Sequence, residues 1–442
     1  MPARRKMRMI PLIAATYFMV SGGPYGIEDI LGGAGFGRAI WILLLLPLVW
    51  SLPTALMIGE LAAAIPAEGG FYVWVRRAMG PFWGYQESWL SLSASIFDMA
   101  LYPSLFTLYL GVFNPALTAG WRDYAWKLAV VALCLVWNLR GAWEVGEGSV
   151  GLGALLLAPF AVLVVLGLWR GLAAHPAVLW SRPASGAAFS TALLVAMWNY
   201  MGWDNASTVA QEVEDPQRTY PRAMIAATVL TAVTYALPLA AMALAGLSSD
   251  GFTTGDWTTA AQKLGGPLLG MAVAAGGCIT GIGMFNALVM SYTRVPTAMA
   301  EDGLLPRVLA RRNRRGVPWV SVLVCAVAWA LALNLPFERL ISIDLVLYGT
   351  SLVLEFVALI VLRFREPGLK RPFQAGGLVF ASLMSLGPTV LIGYALYVSR
   401  GETLGDPGTS LANVSSLVFA TIVGLLGLPL YWITAAVRRS GK

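Results

Sequence analysis

Apolar residues along this chain come in long blocks, each closed by a short link rich in Gly, Pro, Arg or Asp. A block holds about 20 residues, the length a helix needs to cross the hydrocarbon core of a bilayer. Reading blocks and breakers together predicts twelve membrane-spanning helices, at 9–32, 38–64, 81–113, 124–139, 149–170, 187–209, 222–247, 267–300, 318–335, 341–363, 376–399 and 413–437. The second, third and eighth are long enough to tilt or to continue beyond the lipid. The expected class is an all-α membrane protein forming one domain over 1–442.

Two spans contain segments that cannot stay helical. The first is interrupted by Val20-Ser21-Gly22-Gly23-Pro24-Tyr25-Gly26, with three glycines and a proline in mid-membrane. The sixth is broken more mildly at Asn199-Tyr200-Met201-Gly202-Trp203-Asp204-Asn205. Acids accompany both breaks, Glu28 and Asp29 in one case and Asp204 in the other. About 60 residues past each break, Gly-Pro opens a long helix, at Gly80-Pro81 and Gly266-Pro267. Residues 9–170 and 187–363 therefore read as two copies of a five-helix unit, and 376–437 as two additional helices. Five is odd, so the second copy is inverted in the membrane. Irregular backbone at membrane depth is tolerated only where protein buries it or it lines a cavity. Matching breaks in inverted halves point to a carrier's substrate site. N–H groups at a half-helix start can bind a carboxylate, and the freed carbonyls a cation. Close helix packing through glycine is the competing explanation, and two breaks in register weaken it.

Composition supports the class: 58% of residues are hydrophobic and only 12% charged, against roughly a quarter charged in soluble domains. The net charge of +7 is no sign of nucleic-acid binding, because the basic residues sit in the links. With the N-terminus inside, 22 of the 30 Lys and Arg fall on the cytoplasmic side. That bias predicts an inner (plasma) membrane protein with both termini cytoplasmic. The basic start (Arg4, Arg5, Lys6, Arg8) runs into an apolar stretch with no small-x-small cleavage site, so it reads as a retained first helix. Cys134, Cys278, Cys325 and the single His175 form no ligand or nucleophile set. No enzyme activity and no cofactor is expected, beyond protons or sodium as coupling ions. The expected partners are a small amine or amino acid and membrane lipid, with no nucleic acid and no obligatory protein.

Ionisable groups at membrane depth are functional candidates by default. Asp204 is the foremost, to neutralise a substrate amine or carry a proton; capping the restarted half-helix is its structural alternative. Glu28 is a second coupling candidate or a support for the site. Asp98 lies mid-way along the third span without a local basic partner, poised between substrate contact and a hydrogen bond to unwound backbone. Glu60 and Glu355 read as structural ion-pair partners of loop arginines. Trp198 and Trp203 flank the second break and offer ring faces to an ammonium group. Tyr25, Asn199, Asn205, Phe285 and Asn286 are weaker candidates. The loop Glu68-Gly69-Gly70-Phe71 to Met79, with Arg76 and Arg77, reads as an amphipathic cytoplasmic helix, either an inner gate or a plain interfacial anchor.

The stretches VSGGPYGIED (20–29), LVWSLPTAL (48–56), GPFWGYQ (80–86), FDMALYPSLF (97–106), WDNAST with EVEDP (203–216), and YGTSLVLEF through LKRPF (348–373) resemble the amino acid–polyamine–organocation superfamily. The likeness is closest to plant-type polyamine uptake transporters and their bacterial relatives, and it covers nearly the whole chain. AMAEDGLLP (298–306) is similar to the wider superfamily. The resemblance implies a five-plus-five inverted-repeat fold with alternating access, and a site formed by the two broken helices. It implies that Ser21, Gly22, Gly23 and Pro24 meet the substrate's polar head. It also implies roles for Trp198 as an aromatic gate, for Asp204 as the acid after it, and for Asp98 and Tyr102 on the third helix. Tyr25, Asn199, Gly202 and Trp203 join the expected binding residues by their place at the breaks. There are departures. Thr54 and Met99 replace an acid and an Asn of the plant pattern, and no lysine lies between Lys127 and Lys263.

The expected function is secondary active transport of amino acids or polyamines, proton-coupled. In that reading a carboxylate would sit on the first-break N–H groups and an amine near Trp198 and Asp204. A sodium-coupled symporter or exchanger of neutral amino acids is the alternative. A non-transporting sensor and a channel are alternatives of other classes.

Overall fold

The computed structural model describes residues 5–171, 186–334, 337–401 and 414–440. Arg4 and His175 lie outside the described residues. Helix α1 (Met9–Val20) stops where the three glycines begin. Helix α2 (Glu28–Val49) resumes after the gap, and Gly35, at φ 73 and ψ 166, divides its first turns from the second span. That span bends at Trp50 into α3 (Ser51–Ala64). The short α4 (Phe71–Met79) leads into the long α5 (Pro81–Phe113), followed by α6 (Trp121–Asn138) and α7 (Ala142–Gly171).

A parallel course follows. Helix α8 (Gly186–Asn199) halts at the second break, and the chain continues as a 3-10 turn over Trp203–Thr208. Then come α9 (Pro216–Leu244), the short α10 (Trp257–Gly265) and the long α11 (Pro267–Tyr292). Both short helices have nine residues, and both long ones start on Pro after Gly. Proline suits the first helical position because its missing N–H would have no partner there. The eighth expected span bends at Thr293 into α12 (Arg294–Glu301). The described chain closes with α13 (Trp319–Ala332), α14 (Phe337–Arg365), α15 (Leu378–Ser399) and α16 (Ser416–Ser440).

Among the described residues eight stretches are long and apolar enough to cross a membrane, and α1 and α13 are shorter apolar helices. The short α10 was not anticipated. Burial sorts the helices. In their most apolar stretches α5 is 61% buried and α14 67%, but α15 only 28% and α16 17%. Helices α15 and α16 pack on the outside of α14, with α15 also against α3 and α16 against α5. Outward faces carry residues such as Leu331, 82% exposed, and Val390, 68% exposed. An aqueous surface of that kind would aggregate; lipid accepts it. Trp121 and Trp169, each 77% exposed, lie near helix ends where indoles favour the membrane interface.

Glu60 has the arginine partners anticipated for it. Its Oε1 accepts from Arg363 Nε at 3.0 Å and its Oε2 from Arg363 NH2 at 2.5 Å, and Arg371 Nε lies 3.3 Å away. This buried cluster fastens α3 to the end of α14. Glu355 corrects the other half of that expectation. It is fully buried, and neither carboxylate oxygen has a partner among the described residues. At the end of its own helix, Arg363 is already taken by Glu60, and Arg365 donates to the carbonyl of Ala78.

Candidate functional site

The two breaks meet in the interior. Asn199 donates its amide to the carbonyl of Gly26 at 3.0 Å. Gly202, at φ 90, lets the carbonyl of Met19 come so close that a β-carbon would lie 2.4 Å from it. Only glycine accommodates both that backbone angle and that approach.

Several peptide groups at the breaks are satisfied by the protein itself, so less of this backbone is bare than the sequence suggests. Gly23 N–H donates to Ser21 Oγ at 3.2 Å, and Gly26 N–H to Glu28 Oε2 at 2.6 Å. Thr280 and Trp257 donate to the carbonyls of Gly22 and Pro24, each at 2.6 Å. At the second break, Tyr235, Trp50 and Tyr220 donate to the carbonyls of Asn199, Tyr200 and Ala206. The protein's own hydroxyls and indoles do what water does outside the membrane.

A small cavity of about 20 Å³, room for little more than a water in this conformation, lies between the breaks. Of the expected binding residues, Tyr25, Asp98, Tyr102, Trp198, Asn199 and Gly202 line it. Met19, Val20, Leu105, Met201, Met284, Tyr292, Asp344 and Tyr348 complete the wall. Ser21, Gly22, Gly23, Pro24, Trp203 and Asp204 are not part of the lining. Gly22 is pressed on α11 instead, where a β-carbon would lie 2.2 Å from Thr280 Cγ2, so close packing explains that glycine. Trp203 is fully buried behind the wall, with no partner for its Nε1 among the described residues. Among the weaker candidates, Asn286 pairs with Asn138 and Phe285 packs on Trp329, both away from the cavity.

Glu28 is a strut. Its carboxylate accepts from Gly26 N–H, from the Tyr109 hydroxyl at 2.5 Å and from Gly255 N–H at 3.2 Å. Asp29 beside it accepts from Thr254. Together they tie the half-helix after the first break to α5 and to the loop before α10.

Asp98 hydrogen-bonds side chains rather than unwound backbone. The Tyr102 hydroxyl donates to its Oδ1 at 2.5 Å, and the Tyr292 hydroxyl lies 3.4 Å from its Oδ2. Trp198 is a further side-chain hydrogen-bond partner. Asp344 faces the same cavity, 1% exposed, and its Oδ2 has no partner among the described residues. Asp204 stands behind the wall, 1% exposed; Tyr348 donates to its Oδ1 at 2.5 Å and its Oδ2 has no partner.

Asp344 and Tyr348 were missed although a signal existed. The string DMALY at 98–102 recurs as DLVLY at 344–348, an acid four residues before a tyrosine on one face of a helix. The cavity thus offers two carboxylates and the rings of Tyr25, Tyr102, Trp198, Tyr292 and Tyr348, and its lining contains no Lys or Arg.

A family model described as amino acid permease matches residues 13–432. The polyamine transporter RMV1 of Arabidopsis thaliana is 35% identical over 391 residues, covering 88% of this chain and 80% of its own. The polyamine transporter PUT1 of Oryza sativa subsp. japonica is 36% identical over 401 residues, covering 89% and 74%. The serine/threonine exchanger SteT of Bacillus subtilis (strain 168) is 26% identical over 433 residues, covering 95% and 93%.

Proposed function

Because this chain belongs to the amino acid permease family, and is with it an integral, multi-pass membrane transport protein rather than an enzyme, we propose that it carries organic amines, polyamines foremost, by alternating access. The observation that carries this reading is the charge of the cavity. Asp98 and Asp344 face it without a cationic residue in the lining, and a buried carboxylate is stable only when neutralised or paired. A protonated amine supplies that charge, and the five rings around it offer π faces. The plant relatives named as polyamine transporters point the same way.

An α-amino acid fits less well. Its single amine would neutralise only one of the two cavity acids, and its carboxylate would be left to first-break N–H groups other than those of Gly23 and Gly26, which Ser21 and Glu28 accept. The Bacillus relative named as a serine/threonine exchanger keeps neutral amino acids as the second reading. Proton coupling is our preferred drive, since the acids of the site exchange protons as the amine arrives and leaves. Twelve spans, an inverted repeat with both termini cytoplasmic, and residence in the plasma membrane complete the proposal. The recurrence of break, nine-residue helix, Gly-Pro and long helix supports the repeat.

Uptake into proteoliposomes tests it, with labelled diamines, tetra-amines and neutral amino acids, each with a pH gradient, a sodium gradient or none. Saturable amine uptake that rises with a proton gradient is expected. Amino-acid counterflow without amine uptake would overturn the amine reading in favour of the exchanger.

A further inference from the structure

The cavity acids have counterparts deeper in the protein. Glu87 precedes Asp98 by eleven residues on α5, and Glu355 follows Asp344 by eleven on α14. Helices α5 and α14 pack together. Asp98 and Asp344 share one cavity. At the other end, Arg365 at the close of α14 donates to the carbonyl of Ala78, just before α5, at 2.9 Å. The two helices therefore run antiparallel, and the acids form two levels. Eleven residues of α-helix rise about 16 Å, so the levels are roughly that far apart.

The inner level is sealed and unpaired. Glu87 and Glu355 are fully buried and do not line the cavity. Glu87 Oε1 and both oxygens of Glu355 have no partner, and neither residue joins an ion pair among the described residues. A separate element points between the levels. Asp204 comes from the second break, 1% exposed, with Oδ2 free of any donor. It is close enough to repel Glu87 and Glu355 as well as Asp98 and Asp344. Unpaired carboxylates at such depth are costly unless a cation or proton neutralises them.

We infer that Glu87 and Glu355 form an inner cation site that takes the far ammonium group of a linear polyamine, whose near ammonium group lies between Asp98 and Asp344 and whose internal amine passes Asp204. This rests on the amine reading of the cavity and extends it to length selection. An extended tetra-amine reaches from one level to the other. A short diamine occupies the cavity level alone. In the conformation described here the inner level is shut, so it fills when the chain between the levels opens.

The test compares tetra-amine and diamine affinity in proteoliposomes for the wild type, Glu355→Gln and Glu87→Gln. Each substitution keeps side-chain volume and removes a charge. Each is expected to lower the ratio of tetra-amine to diamine affinity about tenfold, the scale of one partly buried charge pair. An unaltered ratio in both variants overturns the inner site. If the wild type moves no amine, the function proposed above fails, and the inner site is judged by binding. A tetra-amine should then raise the unfolding temperature of the purified protein more than a diamine does. Glu355→Gln should abolish the difference, and its persistence overturns the inference.

Discussion

The hydroxyl of Tyr348 donates to Asp204 Oδ1 at 2.5 Å and accepts the N–H of Gly202 at 3.0 Å. One phenol on α14 thus holds both the acid and the backbone of the second break. Tyr348→Phe leaves two buried polar groups unmatched. Each unmatched group costs about 1–3 kcal/mol. Amine uptake is expected to fall at least about tenfold, with the protein still folded in detergent. Wild-type uptake in this variant would show that the phenol does not position the break.

Asp344 is the cleaner probe of cavity charge, because its Oδ2 has no donor to lose. Asp344→Asn removes the negative charge and leaves the shape. A pair of charges at close range is worth a few kcal/mol in a partly screened site. The KM for a diamine is expected to rise about ten- to a hundredfold, with a smaller change in maximal rate. A KM within a factor of two of the wild type would remove Asp344 from amine recognition.

Much of this arrangement was legible from the chain, and the gaps have physical causes. The breaks were readable because three glycines and a proline within Val20–Gly26 have no helical alternative. Span α5 was readable to the residue, because Gly80-Pro81 fixes its start. What satisfies the breaks was not readable. Partners such as Trp257, which donates, and Tyr348, which accepts, come from more than a hundred residues away, and no local pattern reports such a pairing. Asp344 was overlooked for a different reason. It sits near the start of an expected span, where an acid passes for a residue at the membrane surface. The attention given to Gly22 and Trp203 came from their neighbours in sequence, but one packs on α11 and the other lies behind the wall.

The Glu60 cluster makes a prediction about stability rather than transport. Glu60 is fully buried, and the side chains of Arg363 and Arg371 are 5% and 8% exposed. Removing one member of a buried pair leaves the rest uncompensated, typically at about 3–5 kcal/mol. Glu60→Gln should therefore lower the unfolding temperature in detergent markedly. Replacing Glu60 and Arg363 together by apolar residues should recover part of the loss. An unfolding temperature unchanged in Glu60→Gln would mean that the cluster holds nothing together.

Arg77 and Glu366 provide the contrast at the surface. Arg77 Nε and NH2 donate to the two oxygens of Glu366 at 2.9 and 2.6 Å. The neighbouring guanidinium holds the Glu366 carboxyl below its usual value of 4.5. Its contribution is complete above that usual value and fades as pH falls through the lowered one. Exposed pairs are worth about 1 kcal/mol or less. Glu366→Gln should shift the unfolding temperature only slightly at neutral pH, and not at all once the medium is acidic enough to protonate the wild-type carboxyl. A large neutral-pH shift would contradict the exposed setting.

Gly202 tests the meeting of the two breaks. Its backbone lies at φ 90, and a β-carbon there would sit 2.4 Å from the Met19 carbonyl. Gly202→Ala must therefore either push α1 away from the second break or strain the turn, and both outcomes separate the two walls of the cavity. Uptake should be lost while the helix content by circular dichroism stays near that of the wild type. Gly393 is a control, since nothing lies within 4 Å of the position a β-carbon would take there. It sits inside α15, where alanine is also the better helix former. Gly393→Ala should keep transport and stability close to wild type. Equal behaviour of the two variants would mean that the approach of Met19 to Gly202 is not what shapes the site.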